Sequence, residues 1–176
     1  MAAATKRLAG PEVAERIEAA VPGAAEEVVE GWVQVRPERL VEVARFLRDD
    51  RALDARYLAS LCAVDRYDWF EVVYHLASLS HNHEFVLKAR AAHDDPLLPS
   101  VASVWMGADL QEREAYDLMG IRFEGHPTLK RLFLWEGFPG HPLRKDFLAM
   151  PGGFSPGLQR FPKEEPGQWG GEFRAD

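Results

Sequence analysis

One cysteine, Cys62, stands in a chain of 176 residues. A lone thiol cannot close an internal disulfide, build a Cys-cluster zinc site or hold an iron–sulfur cluster. A reducing, cytosolic setting is the expectation that follows. Cys62 lies in the apolar run YLASLCAV with no His or Lys beside it, so it reads as a small buried side chain and not as a reactive thiol. Long apolar runs are also missing. None approaches the roughly 20 residues of a membrane helix, and the opening MAAATKRLAG has too short an apolar stretch for a signal peptide. Membrane contact is therefore expected only through a partner. Nor is there a basic surplus: 21 Lys and Arg face 28 Asp and Glu, a net charge of −7. That argues against a general nucleic-acid binder, which needs a basic face for the phosphates, but leaves docking to a basic protein surface open. G-x-S-x-G, P-loop and dinucleotide fingerprints are all lacking.

Glycine and proline are sparse up to residue 125 and dense after it, where they make up 15 of the last 51 residues. Such density does not support long helices or central strands. The tail is nevertheless rich in large apolar groups, among them Phe133, Trp135, Phe138, Phe147, Phe154 and Trp169. These must be buried somewhere, so residues 126–176 read as an extended arm lying in a groove of its own domain or of another protein.

Residues 1–125 alternate helix and strand signals, with enough apolar content (47% of the chain) for a core. PEVAERIEAAV (11–21) starts with proline and places Val13, Ile17 and Ala20 on one helical face. EEVVEGWVQVR (26–36) reads as extended, turning at Glu30-Gly31. In PERLVEVARFLRDD (37–50), Leu40, Val43, Ala44 and Leu47 form an apolar stripe. FEVVYHLASL (70–79) and EFVLKARAA (84–92) flank the short polar SHNH and predict an antiparallel hairpin. Residues 99–120 predict one or two helices, with Ser100 as a cap and Gly120 as the stop. The fold class expected is α+β: a small, mostly antiparallel sheet with helices packed on one face, followed by the C-terminal arm.

Two clusters invite a chemical reading. His75, His81 and His83 lie on or near the hairpin turn, and with Glu84 they would be the donors of a metal-dependent hydrolase. The letters HNH lack the further ligands of the nuclease motif, so an exposed polar turn is the simpler reading of His81 and His83; His75, mid-strand, reads as a surface imidazole. In EREAYDLMGIRFEGHP (112–127), Arg113 is an i,i+4 neighbour of Asp117, and Glu114 an i,i+3 neighbour. An arginine among carboxylates holds them ionised, which suits a salt-bridge brace better than an acid/base pair. Arg144 and Lys145 of GHPLRKDF (140–147) follow no glycine-rich phosphate loop and suggest protein–protein anchoring.

EREAYDLMGIRFEGHPTLKRL followed by GHPLRKDF strongly resembles the signature of the 30-kDa subunit family of respiratory complex I, the C-type subunit of the bacterial NADH:quinone oxidoreductase (NDH-1). The resemblance extends upstream through GADLQERE and PSVASVW to FEVVYHLASL and spans residues 57–147. It implies a structural subunit of the hydrophilic peripheral arm that binds no cofactor itself, FMN and the Fe-S clusters residing in partner subunits. It also implies packing on the larger D-type (49-kDa) subunit that helps form the quinone site. The whole enzyme passes electrons from NADH to quinone and pumps protons, with this subunit on the cytoplasmic face of the cell membrane. Carried onto this sequence, the motif comprises Glu112, Arg113, Glu114, Tyr116, Asp117, Gly120, Gly125, His126, Pro127, Leu129, Gly140, His141, Pro142, Leu143, Arg144, Lys145, Asp146 and Phe147. Structural or interface roles, not catalytic ones, are implied for them. The same resemblance admits the homologous small subunit of another membrane-bound redox complex, such as an energy-converting hydrogenase.

Overall fold

The computed structural model describes residues 4–147; the expectations placed on Phe154, Trp169 and the rest of the tail lie outside the described residues. Helix α1 (Gly10–Ala20) leads into the hairpin β2 (Ala25–Val29) and β3 (Trp32–Val35). A short 3-10 turn opening on Pro37 continues as α2 (Leu40–Asp49). Strands β4 (Tyr57–Asp65), β5 (Trp69–Ser78) and β6 (His83–Ala92) form an antiparallel meander. The sheet runs β2-β3-β6-β5-β4, and the two-residue strand β1 (Lys6–Arg7) pairs parallel to the start of β6. The β3–β6 pair is also parallel, an exception within a mostly antiparallel α+β sheet. A second unit, β7 (Leu97–Pro99), α3 (Ala108–Met119) and β8 (Arg122–Glu124), is a crossover in which β7 and β8 pair side by side.

Periodicity explains most of these elements. Leu40, Val43, Ala44 and Leu47 of α2 are each 0% exposed and meet Val13, Ala14 and Ile17 of α1 over the inward residues of the sheet. Ala20, expected on the buried face of α1, is exposed, and Ala14 takes its place. On β5, Phe70, Val72, Tyr74 and Leu76 point into this core while His75 stays exposed, as a two-residue period requires. Gly10 is where α1 meets the β2–β3 turn: a Cβ there would lie 2.0 Å from the Val29 carbonyl oxygen.

Three expectations need correction. Residues 101–107 are turns, so α3 begins only at Ala108. Ser100 does not cap α3; its Oγ accepts from Ala102 N–H and donates to Glu112, which closes the preceding turn instead. Cys62 is exposed, not buried. It belongs to β4, whose register slips between Leu58 and Ser60, and pairing Cys62 with Val73 turns it to the face opposite the Leu61–Tyr74 pair.

Candidate functional site: helix α3 and the arm it holds

Helix α3 carries two fully buried carboxylates that do opposite things. Glu112 Oε1 accepts from Val101 N–H (2.7 Å) and Oε2 receives the Ser100 hydroxyl (2.6 Å), so this side chain pins the 100–107 turns. No Lys or Arg is paired with it among the described residues. His126 Nε2 approaches to 3.9 Å and Asp109 is a second carboxylate nearby. Burial, with that like charge, pushes the Glu112 pKa up to about 7 against the stabilising hydrogen bonds. Thr128 N–H donates to His126 Nδ1, which leaves the proton on Nε2 to donate to the Asp109 carbonyl. The Tyr74 hydroxyl is also enclosed, without a hydrogen-bond partner among the described residues, and burial followed by the Glu112 charge raises its pKa.

Asp117, one and a half turns on, is ionised. Its Oδ2 accepts three successive backbone N–H groups, Leu132 (2.9 Å), Phe133 (2.7 Å) and Leu134 (2.9 Å). Its Oδ1 accepts from Arg131 Nη1 at 2.9 Å. Burial opposes the charge, but these donors outweigh it and hold the carboxyl below its ordinary pKa. Arg131 also donates to the carbonyls of Phe138 and Gly140. Arg113 reaches the carbonyls of Lys130 and Arg131, both at 3.1 Å. The expected Arg113–Asp117 pairing therefore does not form. Both side chains turn to the arm instead, Arg131 supplies the cation, and Glu114 is exposed. The adjacent Glu112 is not held ionised by an arginine at all.

The second motif block finishes α3. The last carbonyls of a helix have no partner within it. Here Tyr116 is bonded by Gly120 N–H, Asp117 by His141 Nδ1, Leu118 by Leu143 N–H and Met119 by Arg144 Nε. Gly120 is left-handed (φ 75°), and a Cβ on it would stand 2.6 Å from the His141 ring. The His141 ring meets Tyr116 edge-on; its own burial, with Arg144 and Arg131 nearby, lowers its pKa. Gly125, just before the arm, and Gly137 and Gly140 within it are likewise left-handed. Phe138 and Phe147 are buried and stacked on each other, and Leu129 packs against the main core. Lys145 N–H donates to Asp65 at the end of β4. Pro127, Lys145 and Asp146 are exposed, and Pro142 is half-buried.

The histidines do not converge. His83 is buried and bonds the Leu53 carbonyl (2.8 Å), correcting its reading as an exposed turn residue. His81 bonds the Arg51 carbonyl, and the two rings stack. His75 lies on the opposite sheet face, since Ser78 opposite His83 points inward and His75 is three residues away. Three imidazoles and Glu84 thus cannot share one metal ion.

Part of what is left open on this side of the molecule is apolar. Phe133 (63% exposed), Leu143 (54%) and Trp135 (41%) project from the arm. Beside Leu143, strand β4, the last of the sheet among the described residues, and the face of α3 bound an open groove of about 230 Å³ lined by Leu61, Ala63, Ala115, Leu118 and Met119. Cys62 and Glu114 stand on its walls, and desolvation together with the Glu71 and Glu114 carboxylates raises the pKa of the thiol. No helix among the described residues is long and apolar enough to cross a membrane.

The family profile "Respiratory-chain NADH dehydrogenase, 30 Kd subunit" matches residues 33–151. The C-type subunit of the NADH-quinone oxidoreductase of Roseiflexus castenholzii is 47% identical over 146 residues, covering 79% of this chain and 84% of that protein. A C-type subunit of the same enzyme from Rhizobium etli is 46% identical over 135 residues, covering 75% and 71%. Among solved structures, a chain of the membrane-bound sulfane sulfur reductase, an archaeal respiratory membrane complex, superposes with a TM-score of 0.64 at 25% identity, covering 78% of this chain and 85% of that one. The profile takes in α3, the described part of the arm and most of the sheet, and the chain belongs to the 30 kDa subunit family of the respiratory-chain NADH dehydrogenase.

Proposed function

We propose that this chain is a non-catalytic structural subunit of the peripheral arm of a proton-pumping NADH:quinone oxidoreductase, and that it packs on the larger D-type (49-kDa) subunit at the quinone site. In this role it supports electron transfer from NADH to quinone, with FMN and Fe-S clusters carried by partner subunits. It meets the membrane only through the complex, on the cytoplasmic face. One observation carries the reading: the arm is fixed to α3 by Asp117, Arg113 and Arg131, yet presents Phe133, Trp135 and Leu143 to solvent. A segment held rigid while its large apolar groups point outward has the character of a preorganised docking surface, and its anchors suit pockets on a partner.

The test is co-purification of the tagged chain from its native membranes. The larger quinone-site subunit is expected to come down with it. A Phe133→Asp/Leu143→Asp double variant should keep its circular dichroism and thermal midpoint but lose most of that recovery. Undiminished recovery with the double variant would overturn the docking surface. A second reading, favoured by the likeness to the sulfane sulfur reductase chain, is the equivalent small subunit of a different membrane-bound redox complex. Co-purifying material that reduces quinone with NADH supports the first reading; material of the same architecture inert to NADH supports the second.

A further inference from the structure

We propose that Asp65, His93 and Asp146 form a zinc-binding site that fastens the end of the described arm to the sheet. The three residues come from the end of β4, the segment just after β6 and the arm, and one ligand atom from each lies within 4.8 Å of the others. Two of them are already aimed. Asp65 is 3% exposed and its carboxylate is fixed by the N–H groups of Tyr67 (2.8 Å) and Lys145 (2.9 Å). The His93 ring lies flat on Phe70, with centroids 4.9 Å apart and planes 9° from parallel, which brings Nε2 to 3.8 Å from Asp65 Oδ2. Asp146 is exposed and its carboxylate makes no ion pair or hydrogen bond among the described residues, so it is free to swing inward.

The donor set selects the ion. One imidazole nitrogen with two carboxylate oxygens suits Zn²⁺, leaving a fourth tetrahedral position for water; Mg²⁺ and Ca²⁺ favour all-oxygen shells. Zn–N and Zn–O bonds of about 2.0–2.2 Å set ligand atoms roughly 3.3 Å apart, so closure asks for a movement of about an ångström, mostly by Asp146. The Lys145 ammonium sits over the Tyr67 ring, 4.0 Å from its centroid, close enough for its charge to be felt at Asp65. His81, His83, His126 and His141 are each engaged with a backbone carbonyl, a partner that His93 lacks among the described residues. The site does not rest on the role in the complex, since it is complete within one chain.

The experiment is calorimetric titration of the EDTA-treated full-length chain with zinc chloride, alongside thermal melts. One equivalent should bind saturably and raise the thermal midpoint. His93→Phe, which keeps a ring against Phe70 but removes the nitrogen, and Asp146→Asn should each weaken binding about tenfold or more and abolish the midpoint shift, while His81→Ala leaves both unchanged. Absence of saturable one-to-one binding, or binding equally strong in His93→Phe and Asp146→Asn, would overturn the site.

Discussion

The sheet with its helices and the arm that lies on α3 belong to one chain but are held by different forces. In the first region, apolar side chains of α1, α2 and strands β3 to β6 share a single enclosed cluster, which also takes in Ala108 and Ala115 of α3. Its cohesion grows with buried area and is spread over many residues, each contributing about 1.5–3 kcal/mol when fully buried. The arm is held mainly by directed polar contacts converging on a few atoms, chiefly the Asp117 carboxylate and the final carbonyls of α3. A cohesive patch degrades gradually under substitution; a converging set of hydrogen bonds fails when its centre is removed. Three substitutions should separate the two behaviours.

The largest effect is expected from Asp117→Ala. It strands three backbone N–H groups and the Arg131 guanidinium, and breaking such a buried charged set costs about 3–5 kcal/mol. Limited proteolysis should show cleavage around residues 130–135 in the variant while the sheet remains protected; an arm as resistant as in the wild type would contradict the convergence described. Leu47→Ala is expected next, at about 3 kcal/mol for a side chain with no exposed surface. Urea unfolding should report the loss, with the arm's protease resistance kept in the folded fraction.

The third effect comes from pH. The folded-state pKa of Glu112 is raised from 4.5 to about 7, so between these values the folded chain holds a proton that the unfolded chain releases. This contribution to stability is therefore present at the acidic end of that window and is lost as pH rises through 7. The change between about pH 5 and pH 8 is on the order of 2 kcal/mol. Glu112→Gln mimics the protonated group: its oxygen can accept from Val101 N–H and its amide can donate to Ser100 Oγ. Thermal melts should show that the decline belonging to residue 112 disappears in this variant. An identical pH dependence in wild type and Glu112→Gln would exclude a titrating Glu112.

Elements whose side chains follow one period are legible in the sequence. The stripe of α2 and the β5–β6 hairpin are examples, because apolar residues recur where the backbone turns them inward. Strand β4 is not. Its register shift moves the inward residues from Leu58 to Leu61 and then to Ala63 and Asp65, a spacing that resembles neither a strand nor a helix. The 99–120 segment reads as more helix than forms because Glu112, reaching back to Val101 N–H, stabilises turns in a stretch of helical composition. In the carboxylate cluster, helical spacing identifies neighbours on α3 but not their true partners, which arrive from 130–134 and 100–101. Asp94 and Asp95 follow His93 in sequence, yet the carboxylates that come within reach of its ring are Asp65 and Asp146, which meet it only through the fold.

The capping of α3 has a consequence for how the protein is made. Glycine and proline content changes near residue 125, yet the last turn of α3 is completed by groups from residues 141, 143 and 144. While synthesis has reached only Gly125, that turn has most of its acceptors facing water and Asp117 has none of its arm donors. The last turn of the helix gains these partners only after some twenty further residues have left the ribosome, so a nascent chain arrested between the two motifs would carry an α3 packed along its first turns and uncapped at its end.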